Sequence, residues 1–129
     1  MATEHRAEVD QFIREEIDTV PHLEALLMAW RARDSRWSPR EMAAALYVSE
    51  EVASGILRNL EEKQLLVRVP GEEVRYSYRS GSEAQDELLL QLNATYQREL
   101  IRISRMIHSK APSGVREFAR SFRFTKEEK

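Results

Sequence analysis

Two helix starts stand close together in the middle of this chain, and the stretch between them leaves room for one short helix and a tight turn. At the first, Ser38 precedes Pro39 and sits three residues before Glu41, which combines a hydroxyl cap, a proline at the first helical position and a reciprocal carboxylate. At the second, Ser49 is followed by Glu50 and Glu51, whose charges suit the free amides and positive dipole end of a new helix. Met42, Ala43 and Leu46 form the inward face of the first helix, and Val48, Val52, Ala53, Ile56 and Leu60 carry that face through the turn into the second. Small Ala43 and Ala53 let the two helices cross closely. The run from Glu41 to Leu65 therefore has the spacing of a helix-turn-helix, which points to nucleic acid.

The residues after the second helix strengthen that assignment. Leu65 to Val69 reads as a strand, and Pro70 and Gly71 supply a fixed φ and then a permitted positive one for a turn. Val74, Tyr76 and Tyr78 then alternate with Arg75, Ser77 and Arg79, so the segment predicts a hairpin. A helix-turn-helix joined directly to a two-stranded hairpin is the winged-helix arrangement. Residues 20–79 resemble the MarR-like and related bacterial winged-helix transcription regulators, most specifically through Ser49, Val52, Ile56, Leu60, Glu61, Glu62, Lys63 and Leu65 running into the wing. The resemblance implies a recognition helix beginning at Ser49 and a wing that touches the backbone or minor groove of double-stranded DNA. Ser54 and Arg58 are then expected to face the major groove one turn apart, with Arg68, Arg75 and Arg79 on phosphates and with Arg40 and Ser49 completing the DNA-binding set.

Several positions depart from the family pattern. Tyr47 stands where many such turns have glycine, and Gln64 where the recognition helix usually ends in glycine. Glu50, Glu51 and Gly55 occupy exposed positions where relatives commonly place hydroxyl, amide or arginine side chains that read base edges. The wing tip is acidic as well, with Glu72 and Glu73 beside Gly71. From Ser38 to Arg79 there are six basic residues against seven acidic ones, whereas a DNA-binding module usually has a basic footprint. This charge balance suits an alternative function, a winged-helix protein-protein interaction module without DNA binding.

The flanks divide the chain into an N-terminal helical extension (1–19), the winged helix-turn-helix domain (20–80), a long C-terminal helix (81–110) and a basic aromatic tail (111–129). The predicted fold class is mainly α. Glu8 to Asp18 places Val9, Phe12, Ile13 and Ile17 at helical spacing, and after a break at Val20 and Pro21 the pattern returns with Leu23, Leu26, Leu27 and Trp30. Ser82 to His108 reads as one helix roughly 40 Å long at about 1.5 Å per residue. Leu89, Leu92, Tyr96, Leu100, Ile103 and Ile107 lie along one face of it, a stripe longer than one small domain covers, so the expectation is a homodimer held by that helix. A partner helix is the simpler explanation of that stripe; the alternative is that the helix folds back onto the N-terminal extension. In the tail, Val115, Phe118, Ala119 and Phe122 share one side, Phe124 comes next, and Arg116, Arg120 and Arg123 are among the polar positions. Such a basic amphipathic segment suits phosphate, an anionic membrane surface or an acidic partner, and its aromatic residues favour docking on this protein or its dimer mate.

Composition narrows the function classes. With 42% hydrophobic residues in 129, there is apolar side chain for one modest core. The lack of cysteine removes disulfides, thiolate nucleophiles and sulfur-ligated metals, and agrees with a reducing cytosol. Neither a signal core nor a membrane-length apolar run is evident, so a cytoplasmic protein with no membrane insertion is expected. The net charge of −2 conceals a gradient: residues 1–37 sum to −3, residues 38–87 to −4 and residues 88–129 to +5. His5, His22 and His108 are scattered over different helices, and nothing forms a metal triad, a glycine-rich phosphate loop or a serine elbow. No enzymatic activity, metal or cofactor is expected.

Overall fold

Hydroxyl caps open four of the helices. The computed structural model describes residues 2–110, with α1 (Ala2–Glu16), α2 (Val20–Arg31), α3 (Pro39–Leu46), α4 (Glu50–Glu62), β1 (Leu66–Val69), β2 (Arg75–Tyr78), α5 (Glu83–Arg98) and α6 (Leu100–Lys110). Thr19, Ser38, Ser49 and Ser82 each accept a hydrogen bond from the backbone N–H three residues on, satisfying one amide that the first turn leaves free. At Ser38 the box is complete, because the Ser38 amide donates to Glu41 Oε1 at 3.0 Å while the Glu41 amide donates to Ser38 Oγ at 3.1 Å.

Among the described residues, two other than glycine hold left-handed backbone, at the two positions where the resemblance leads one to expect glycine. Tyr47 ends α3 at φ 60°, and Gln64 comes after α4 at φ 64°. The turn at Tyr47 sends the chain into α4, which packs across α3. The turn at Gln64 delivers it to β1, which pairs antiparallel with β2 in the register Leu66 with Tyr78 and Val69 with Arg75. Trp37 adds a third strand position that no sequence pattern marks. Its amide donates to the Tyr76 carbonyl at 2.7 Å, and the Tyr76 amide donates back at 2.8 Å, so the wing is stitched to the segment just before α3.

One apolar cluster draws on every helix: Val9, Ile13 and Ile17 from α1 meet Leu23, Leu26 and Leu27 from α2, Met42 and Leu46 from α3, and Ile56, Leu57 and Leu60 from α4. Leu89 and Leu92 from α5 and Ile103 and Ile107 from α6 complete it. Inward-facing assignments need two corrections. Val52, expected on the core face, is 49% exposed because it sits in the first turn of α4, and Leu57 is buried in the core instead. Val74 is also exposed, since the strand begins only at Arg75; Tyr76 and Tyr78 are the buried members of the expected alternation.

The single long C-terminal helix is likewise corrected. Glu99 leaves helical geometry at φ −127° and ψ 46°, so α5 ends and α6 begins one residue later. The Glu99 carboxylate is held at this corner by Arg102 Nε at 2.6 Å and by Arg6 at 3.0 Å. Redirection at the corner returns Ile103 and Ile107 to the chain's own core, packed near α1 and α2. Of the six stripe residues, Leu89, Leu92, Tyr96, Ile103 and Ile107 are buried within the chain and only Leu100 remains open, at 48%. Five of the six stripe residues are thus covered within the chain, against α1 and α2. The aromatic tail lies outside the described residues.

Candidate nucleic-acid interface

The exposed surface of the helix-turn-helix that bears the expected DNA-binding residues lies on α3, α4 and the wing. On α4, Arg58 is exposed and Ser54 half-buried, four residues apart and hence one above the other on the helix. Gly55 lies beside them, and a Cβ placed there would meet nothing within 4 Å, so the front of α4 is open at this point. Glu50 and Glu51 are exposed in the first turn. Ser49 is committed to capping, its Oγ accepting from the Val52 amide at 3.1 Å. Arg40 is exposed in the first turn of α3.

The three wing arginines are not equivalent. Arg79 is exposed with its side chain in no salt bridge among the described residues. Arg68 bonds Glu61 at 3.0 Å and lies over the Tyr76 ring, and its guanidinium is held above its ordinary pKa first by the hydrogen bond to Glu61. Arg75 is anchored further: it donates to Glu41 at 2.7 Å, to the Arg36 carbonyl at 3.2 Å and to Glu73 at 3.3 Å. Glu41 is therefore both the cap partner of α3 and the anchor of the wing. Its carboxyl is held below the usual value, first by the Ser38 amide and also by the nearby Arg75 charge.

A second cluster fixes the end of β2. Tyr78 Oη donates to Asp86 at 2.7 Å and accepts from Gln85 at 3.1 Å, and Ser80 donates to the other Asp86 oxygen at 2.9 Å. Arg33 stacks over the Trp30 and Tyr78 rings and reaches Asp86 at 3.8 Å. Burial pushes the Tyr78 hydroxyl up to about 12, while the Tyr78 and Ser80 hydroxyls hold Asp86 below its ordinary value. The wing is thus bound to α3 through Arg75 and to α5 through Tyr78.

Sequence reasoning missed two exposed large side chains in the helix-turn-helix. Tyr47 is 94% exposed at the turn, beside Met28 and Tyr96, and Val52 adjoins the acidic pair of α4. The exposed side chains of α3, α4 and the wing thus include Arg40, Arg58, Arg79 and Val52, and carboxylates on α4 and at the wing tip. No group of acidic or histidine side chains among the described residues is arranged to hold a metal ion. None of the described helices is long and apolar enough to cross a membrane.

No protein-family model matches the sequence, and no curated protein matches it significantly. Solved structures match the fold. Staphylococcus aureus MepR, a transcription regulator of the multidrug efflux pump MepA, aligns with a TM-score of 0.54 at 16% identity, covering 98% of this chain and 90% of that one. MepR in its DNA complex aligns with a TM-score of 0.56 at 17% identity, over 83% of this chain and 92% of that one. A MarR family protein from Bacillus stearothermophilus gives 0.51 at 19% identity, over 98% and 86%.

Proposed function

We propose that this chain, a MarR-like winged helix in fold, is a cytoplasmic transcription regulator that binds double-stranded DNA as a homodimer. The observation that carries the reading is the pair Ser54 and Arg58 on the open front of α4, flanked by a wing held to α3 and α5. Arg58 is long enough to pair with a guanine edge, and Arg40 and Arg79, in no salt bridge among the described residues, suit phosphates on either side. Exposed Leu100 and Ile101 at the α5–α6 corner supply an apolar patch for a second subunit, in place of the buried stripe.

A second reading keeps the fold but gives the helix-turn-helix a protein partner. It is favoured by Glu50, Glu51, Glu72 and Glu73, which repel phosphate, and by exposed Tyr47 and Val52, which suit a protein surface. Fluorescence anisotropy on genomic fragments, repeated from low to high salt, separates the two. DNA binding by three to four phosphate contacts gives a log-log salt slope of about −3. Absence of binding at low salt would leave the protein-interaction reading.

A further inference from the structure

A groove of about 480 Å³ runs between α1 and α5, with no residue of the helix-turn-helix in its walls. Its floor is Phe12 and Leu88, half-buried side chains that pack against the core but leave apolar surface facing out. Glu8, Glu15 and Glu87 line the rim, and no lysine or arginine is among the lining residues. Two of these carboxylates are steadied by side-chain amides, Gln11 donating to Glu15 at 3.0 Å and Gln91 to Glu87 at 2.9 Å. The groove therefore asks for an occupant that is apolar on one side and cationic on the other.

The chain's own sequence contains one. Residues 115–124 read VREFARSFRF, with three phenylalanines, three arginines and a single glutamate. We propose that this segment occupies the α1–α5 groove of its own chain, with phenylalanine side chains on Phe12 and Leu88 and arginines against the glutamate rim. Phe118 and Phe122 are four apart, a spacing that puts both on one face of a helix. Each carries roughly 150 Å² or more of surface to remove from water. The seven residues from 111 to 117 extend to roughly 23 Å, about twice the 10–12 Å diameter of a helix such as α1, against which α6 packs. Seated there, the arginines are neutralised by the rim and are withheld from any role as a DNA-binding arm.

The absence of cysteine makes the test clean. In the full chain, Leu88→Cys combined with Phe122→Cys introduces the only two thiols, and mild oxidation should join them within one chain. A control pair, Val67→Cys on the wing with Phe122→Cys, should react on the order of tenfold more slowly, because docking raises the local concentration of one thiol about the other. Gln91→Cys at the rim replaces Leu88→Cys should the latter lose its helical circular dichroism. Glu8→Lys with Glu87→Lys should slow the joining, and adding Arg120→Glu with Arg123→Glu should restore it. Equal rates for the groove and wing pairs, indifference to charge reversal, or a disulfide formed only between two chains would each overturn the proposal.

Discussion

Tyr47 carries a cost that glycine in its place would not. A side chain in left-handed backbone costs about 1–3 kcal/mol, and Tyr47 returns little packing for it, being 94% exposed. Tyr47→Gly should therefore raise the unfolding free energy measured by urea titration, by about 1 kcal/mol after the added chain entropy of glycine is subtracted. If the turn at Tyr47 meets a partner, the same change should weaken that contact, so stability and binding would move in opposite directions. Gly55 offers the converse case. It sits inside α4 with open space where a Cβ would go, so Gly55→Ala should stabilise by about 0.5–1 kcal/mol in urea titrations. At the arginines, Arg58→Ala should relax sequence preference by about 1–3 kcal/mol, whereas Arg79→Ala should weaken all DNA sequences alike. Arg75→Ala should behave differently from both, lowering thermal stability by loosening the wing from Glu41, with its loss visible in the absence of DNA. Equal effects of the three on competition binding would remove these assignments.

At the scale of elements, three of the carboxyls that tie one element to another share a property: Glu41 joins α3 to the wing, Asp86 joins α5 to β2, and Glu99 joins the α5–α6 corner to α1. All three are held below their ordinary values, Glu99 first by its hydrogen bond from Arg102. Groups more acidic when folded than when unfolded contribute stability that is fully present above the unfolded pKa and is lost as pH falls through the folded one. The melting temperature should hold from neutrality down to about pH 5 and fall below it, and Glu41→Gln with Asp86→Asn should flatten that acid limb. A fall of equal steepness in the double variant would mean that the linkage lies elsewhere. The elements legible in the sequence are those specified within a few residues. Ser38, Pro39 and Glu41 mark a helix start by their own bonds, and Ser49 with its two glutamates marks the next, whereas Tyr47 and Gln64 carry no turn signal of their own. The Glu99 corner is not legible, because its neighbours are good helix formers and one of the arginines holding it comes from α1, which only the fold brings near. Trp37 pairing with Tyr76 and Arg75 binding Glu41 are hidden for the same reason, and the latter commits to the fold an arginine expected on phosphate. Ser54 and Arg58, by contrast, are legible from helical spacing alone.

For the whole molecule, the question is how many chains make the working unit. Five of the six residues expected to hold a partner helix are covered by their own chain, so a homodimer would rest on the patch at Leu100 and Ile101. Sedimentation at micromolar concentration should show a dimer, and Ile101→Glu should dissociate it while leaving the helical circular dichroism intact. A monomer from the unsubstituted chain would remove two-fold symmetric DNA sites from consideration. Leu92→Glu is the contrasting variant: it buries a carboxylate in the core and should unfold the protein whatever its oligomeric state. The Trp37 bridge has a consequence of another kind. Because it occupies the outer side of β2, the edge of the sheet left unpaired among the described residues is that of β1, whose outward backbone groups are a template for another strand. Arg68 stands within that edge, and Pro70, which lacks an N–H, comes directly after its end. A charge and a missing donor protect a strand of four residues from being lengthened by a neighbour, so Arg68→Val with Pro70→Val should make concentrated solutions prone to fibrillar aggregation.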